Sequence, residues 1–392
     1  MALPDPRAAL PVAGLPLTGD PVRDEQWHLK ALGVAGAWEY ASGDGVTVAV
    51  IDSGVDAGHV DLVGQVLPGN DLVARGGDAH SDPVGHGTTV AALIAGRSDD
   101  PAGVVGIAPK AKILPVRVLD QDNRYDDAMI VAKAVRWAVD QGARVINLSL
   151  GGSGSSAALA AALDYAFAKD VVVVACTGNT GSAGTSDVWY PAREPGVVAV
   201  AGLDRGGERL WSGSITGRQT VLVAPATQLT GARPDGYWPV QGTSFAAPMV
   251  SGTAALIRSR WPHMPAGEVI NRIIATARDL GPIGPDDTYG YGEVDPTAAL
   301  TATVPSVLDN PLDTTPPPGV SGFGDAPAAG QALAGHESGG GDPVRPPASG
   351  VNAGGAVEPE AAGYDGWWAA AGFFLLSALT AMLTLRRHHS PA

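Results

Sequence analysis

The sequence predicts an α/β fold built on a mostly parallel central sheet, and three observations carry that reading. Short runs rich in Val, Ile and Ala, at 46–51, 113–118, 145–150, 171–176, 197–201 and 221–224, are apolar throughout rather than alternating. Helical patterns with Ala- and Val-rich faces, at 86–96, 126–141 and 155–168, lie between them. Continuous apolar strands alternating with helices belong to a parallel sheet buried on both faces, hence to a three-layer architecture. The third observation is positional. Asp52, Ser149 and Asn179 sit at or just beyond the carboxyl ends of such runs, where folds of this class collect their functional groups.

Composition narrows the function. The chain has 392 residues, 45% of them hydrophobic, enough for a sizeable core. A formal charge of −15 excludes nucleic acid as the expected partner, since phosphate binding needs a basic surface. The single cysteine, Cys176, rules out an intrachain disulfide and a cysteine-rich zinc site. It falls in an apolar run without a basic neighbour and reads as an inert buried thiol. Asp122-Asn123 and Asp286-Asp287 are too short to form a calcium loop. No metal or cofactor is expected.

Along the chain, residues 1–24 are a Pro-rich extension without a core of its own, and a globular pattern follows over 25–305. The first strand, Val48-Ala49-Val50-Ile51, delivers an acid, Asp52, at its end. Asp56 and Asp61 fall in the polar loop beyond and read as solvated turn acids. Gly85-His86-Gly87-Thr88 opens the first long helix, the one setting among eight histidines where small neighbours let a backbone approach the ring. The run 145–150 leads into Ser149-Leu150-Gly151-Gly152, and the run 171–176 into Gly178-Asn179. Gly242-Thr243-Ser244-Phe245-Ala246-Ala247-Pro248 then presents a serine ahead of a helical run at 249–260. Unpaired N–H groups of a first helical turn favour the negative charge that develops on a carbonyl under attack. Ser244 as nucleophile, His86 as general base and Asp52 as its orienting acid are the parts of a serine-hydrolase triad.

These three motifs with their flanks resemble the subtilisin-like (S8) serine peptidases over roughly 26–300, in that family's order of Asp, His, Ser. The resemblance implies a three-layer subtilisin-like fold and an endopeptidase acting on protein or peptide substrates. It implies that Asn179 is an oxyanion donor together with the Ser244 backbone N–H. It also implies that Ser149, Leu150, Gly151 and Gly152 pair with the substrate backbone as an added strand. Val188-Trp189-Tyr190-Pro191 is similar to the segment forming the floor of the family's primary specificity pocket. Glycine is common there at the position of Trp189, so an indole either shortens the pocket or turns away and packs beneath the loop.

Beyond the globular region, 306–366 is rich in Pro, Gly and Ala and reads as a disordered, flexible stalk. The run 367–385 is uncharged and apolar, close to the ~20 residues of a transmembrane helix. Trp367-Trp368 open it, Arg386-Arg387 close it, and Glu358, Glu360 and Asp365 precede it. That asymmetry places the tail 386–392 in the cytosol and the catalytic region outside the cell membrane. Residues 1–20 do not form a secretory signal, so a leader is expected upstream of Met1. With Gln26-Trp27-His28-Leu29-Lys30 after a Pro-rich extension, this layout resembles the mycosins, membrane-anchored subtilases of type VII secretion systems. That resemblance implies association with secretion membrane components. It also admits a second reading, a structural component of the secretion complex whose proteolysis is secondary.

Overall fold

The computed structural model describes residues 18–313 apart from 75, 126 and 181–186. The expected stalk beyond 313, the membrane helix at 367–385 and the tail at 386–392 lie outside the described residues, as do residues 1–17. Three short helices, α1 (Pro21–Asp24), α2 (Trp27–Ala31) and α3 (Val34–Trp38), lead into β1 (Thr47–Asp52). Then come β2 (Asn70–Asp71), α4 (His86–Ala95), β3 (Lys112–Arg117), α5 (Ala128–Asp140) and β4 (Val145–Leu148). The chain continues through α6 (Ala157–Ala168), β5 (Val172–Cys176), β6 (Val198–Leu203) and β7 (Leu222–Pro225). A hairpin, β8 (Leu229–Arg233) and β9 (Gly236–Val240), precedes α7 (Thr243–Arg260), α8 (Ala266–Ala275) and α9 (Pro296–Thr301).

Seven strands form one sheet in the order β2-β3-β1-β4-β5-β6-β7. Every pairing within it is parallel. β4 and β5 are buried at every residue, and β1 at all but its first. Burial without alternation means that both faces are covered. The pair α4 and α7 and the pair α5 and α6 supply that cover. The chain leaves β1 toward β3 and leaves β4 toward β5, so the order reverses between these neighbours. Such a reversal opens a crevice at the carboxyl ends of the two strands. Asp52 ends β1 and Ser149 follows β4, both at that crevice.

Three boundaries differ from the sequence reading, each for a local reason. β4 stops at Leu148 instead of 150, because Gly152 turns to pair with Tyr190. α7 starts at Thr243, well before 249, because the Asn179 side chain caps it (below). Residues 306–313, expected as stalk, pack on the domain: Leu312 O accepts from Gly196 N at 3.0 Å and Asn310 Nδ2 donates to Gly196 O at 2.9 Å. Residues 18–24, expected as free extension, are likewise clamped. Arg23 donates to Gly103 O (2.8 Å), Asp100 O (3.0 Å), Asp100 Oδ1 (3.2 Å) and Ala102 O.

Candidate active site

β1 delivers Asp52 fully buried, and α4 begins at His86 with Gly85 as its cap at φ 79°. Gly87 lets the helix rest on the strand. A β-carbon there would lie 2.1 Å from Gly54 O and 3.1 Å from Asp52 Cβ, an approach open only to glycine. His86 Nδ1 donates to Asp52 Oδ1 at 2.7 Å. A carboxylate acceptor holds the ring proton on Nδ1 and leaves Nε2 as the basic nitrogen. Asp52 Oδ1 also accepts from Ser53 N at 2.7 Å. The Phe245 ring lies 5.3 Å from the His86 ring and tilted 47° to it, limiting its rotation.

Asp82 carries no motif of its own, yet it organises this turn. Its Oδ1 accepts from Ser53 Oγ (2.8 Å), Gly85 N (2.8 Å) and Val84 N (3.1 Å). Its Oδ2 accepts from Thr88 N (2.8 Å) and Thr88 Oγ1 (2.7 Å). Ser53 Oγ in turn accepts from Gly87 N at 3.0 Å. The one signal in sequence is an acid just ahead of a helix start, where carboxylates bond free backbone N–H groups. Burial pushes the His86 imidazole down. The Asp52 carboxylate, by charge and hydrogen bond, and Asp82, by charge, outweigh that and hold it above its ordinary 6.5.

Ser244 is the second residue of α7 and is partly exposed. Thr243 N and Thr243 Oγ1 both donate to Asn179 Oδ1 at 3.0 Å. An N–H can bond only the oxygen of an amide, so these contacts fix its orientation. Nδ2 is left as a donor beside the first turn of α7. Ser244 N–H is the second of that helix, too early in it to have an intrahelical acceptor. In the first turn of α7, then, a nucleophile and two donors adjoin. The Ser244 hydroxyl donates to Cys176 Sγ at 4.0 Å, and among the described residues no hydrogen bond joins it to His86. Unliganded sites commonly hold this contact long until substrate arrives.

The Ser149 hydroxyl is engaged within the protein. Pro248 sits inside α7 and lacks the N–H that would bond the carbonyl four residues back, that of Ser244. Ser149 Oγ donates to that Ser244 O at 2.6 Å and accepts from Asn147 Nδ2 at 2.9 Å. Asn147 Oδ1 accepts from Ser251 Oγ at 2.8 Å, returning the network to α7. Gly152 is engaged too: its N–H donates to Tyr190 O (3.0 Å) and its carbonyl accepts from Tyr190 N (2.8 Å). Gly152 is therefore not free to pair with a substrate, whereas Leu150 and Gly151 stay along the crevice.

Trp189 is buried, and its indole lies close to Gly178 and Gly151. Cys176 is buried with its Sγ 3.9 Å from Leu150 O, and burial pushes its thiol up to about 11. It stays protonated at neutral pH and offers Ser244 no competing nucleophile.

Comparison with known proteins finds related sequences and folds. A family model described as the Subtilase family (Peptidase_S8) matches residues 43–292. Subtilisin DY of Bacillus licheniformis is 38% identical over 253 residues, 64% of this chain and 88% of that protein. Mycosin-1 of Mycobacterium tuberculosis is 36% identical over 346 residues, 74% of this chain and 76% of that protein. The solved structure of fervidolysin, a keratinolytic enzyme from Fervidobacterium pennivorans, matches with a TM-score of 0.67 at 35% identity. That match covers 74% of this chain but only 47% of fervidolysin. The MycP3 protease from the type VII (ESX-3) secretion system matches with a TM-score of 0.63 at 34% identity, over 72% of this chain and 91% of that one.

Proposed function

The chain belongs to the subtilase family of serine endopeptidases, and from that premise we propose that Asp52, His86 and Ser244 are its triad. The observation that carries the reading is the 2.7 Å bond from His86 Nδ1 to Asp52 Oδ1, beside a serine at the start of α7. In the proposed cycle Ser244 Oγ attacks the scissile carbonyl as His86 Nε2 takes its proton. Asn179 Nδ2 and Ser244 N–H bond the resulting oxyanion. The C–N bond then breaks, and His86 returns the proton to the leaving amine. Water, activated by the same imidazole, releases the acyl group and restores Ser244. Asp52 stays ionised throughout and stabilises the imidazolium.

Ser244→Ala, His86→Ala and Asp52→Asn are each expected to remove most peptide hydrolysis without loss of the thermal transition. Their effects should not add, because the three act as one unit. A Ser244→Ala protein cleaving at the parental rate ends the assignment. Removing the Asn179 donor, as Asn179→Leu, should lower kcat by about 10²–10³.

We further propose that the enzyme works outside the cell membrane in connection with type VII secretion. Its likeness to Mycosin-1 and to the MycP3 protease supports this, as does the apolar run at 367–385. No helix among the described residues is long and apolar enough to cross a membrane, so the anchor rests on that run alone. The second reading, a structural part of a secretion complex, draws on a MycP1 relative described as an essential component of such a system. Secretion that survives Ser244→Ala while peptide cleavage is lost supports that second role.

A further inference from the structure

We propose that a cavity at the amino ends of β1 and β3 binds a phosphate group, carried by a soluble ester or by a lipid headgroup. Asp44, three residues ahead of β1, and Lys112, the first residue of β3, both line it. Arg97, just past the end of α4, lines it too. The cavity therefore lies at the end of the sheet opposite the crevice of Asp52 and Ser149, and the proposal is independent of the triad. Its volume is about 420 Å³.

The wall gathers cations in a chain that is otherwise acidic. The formal charge is −15, and the sequence contains five lysines. Two of them, Lys110 and Lys112, line the cavity beside Arg97. Their backbones are fixed. Lys110 N donates to Ser42 O, Lys112 N to Val46 O and Arg97 N to Asp61 O, each at 2.9 Å. The buried Gln65 side chain joins the two lysine positions: its Oε1 accepts from Lys112 Nζ at 3.0 Å, and its Nε2 donates to Pro109 O, next to Lys110. Donors nevertheless remain unused. Lys112 Nζ also donates to Gly64 O at 2.7 Å, which leaves it one N–H. Arg97 engages Asp99 through Nε at 2.8 Å and Nη2 at 2.7 Å, which leaves Nη1. Lys110 is exposed, and among the described residues no ion pair engages its ammonium group.

Donors without acceptors call for an anion. A carboxylate has two oxygens and is satisfied by one guanidinium, whereas three cationic groups on two loops match the several oxygens of phosphate. Asp99 is already paired with Arg97, so exposed Asp44 is the acid that opposes an anion here. Val63 lines the cavity and Val60 lies close in the chain; they are 47% and 63% exposed. A lipid would use that apolar lip, and a free ester would not.

The test uses the full chain in a non-ionic detergent, titrated by calorimetry with inorganic phosphate, glycerol 3-phosphate and, as a carboxylate control, succinate. Glycerol 3-phosphate should bind saturably. Lys110→Gln and Arg97→Gln should each weaken it about tenfold, and Asp44→Asn should tighten it. A parental thermal transition shows each variant folded, and exposed Lys110 carries the test should the Arg97 variant lose its transition. Acetylation of Lys110, read by mass spectrometry, should fall as the site fills, while exposed Lys133 and Lys169 react unchanged. Protection of Lys110 by micelles doped with phosphatidylglycerol assigns a lipid headgroup, and protection by the ester alone assigns a soluble phosphate. No saturable binding of any phosphate probe, equal binding of succinate, or folded Lys110→Gln and Asp44→Asn proteins with parental affinity overturns the proposal.

Discussion

At the scale of single residues, an acid that carries no motif of its own has a testable effect. Asp82 lies within the turn that sets His86, and its charge helps hold the imidazole above 6.5. Catalysis needs His86 unprotonated, so a raised value moves the acid limb of the rate profile to higher pH. The midpoint of kcat/KM against pH should therefore fall above 6.5, and Asp82→Asn should move it down. An unchanged midpoint in a folded Asp82→Asn protein would remove Asp82 from the electrostatics. His28 offers the opposite case. Both ring nitrogens are buried without a hydrogen-bond partner among the described residues, and burial pushes the imidazole down to about 3. The unfolded chain then takes up a proton near 6.5 that the folded one refuses. Stability is complete above that pH and declines below it, by about 1.4 kcal/mol per unit, until about 3. Denaturant titrations at pH 7 and pH 5 should show the loss in the parent and a smaller loss in His28→Phe. The proposed triad could be named from sequence because each member lies in a local motif. Asp82 could not, since what marks it is a set of bonds and not a pattern of neighbours.

At the scale of elements, α7 depends on a substitution of one donor for another. Pro248 removes the helical bond to Ser244 O, and Ser149 restores it from a different strand end at 2.6 Å. A buried acceptor stripped of its partner costs about 1–3 kcal/mol. Ser149→Ala should lower kcat about tenfold or more with little change in KM, because Ser244 loses the tether on its carbonyl. Adding Pro248→Ala supplies the missing N–H from within the helix, and the double variant should recover part of that loss. Strictly additive effects would show that the two residues do not share the carbonyl. The long apolar strands and amphipathic helices were readable within two or three residues. The β8–β9 hairpin was not, because β9 is buried only at its last residue and shows no apolar alternation. The start of α7 was hidden for a related reason: its cap, Asn179, is 64 residues away in sequence.

At the scale of the molecule, the folded unit reaches further at both ends than composition shows. Arg23 fastens residues 18–24 to the 100–103 loop, and 310–312 pack beside Gly196. A chain ending after 313 is expected to be soluble, folded and active toward peptides. One ending at 305 should lose thermal stability, because Asn310 and Leu312 go with it. Equal melting temperatures for the two would show that 306–313 contributes nothing.

The bonds that define the site join residues 34, 64 and 95 positions apart. Contacts this distant in sequence carry a loop-closure cost and slow folding relative to local ones. None of them can be made by a short nascent segment alone, so the proposed site exists only once Ser244, the last of its residues in the chain, has met the ends of β1, β4 and β5. A chain that has not yet folded therefore cannot cut itself.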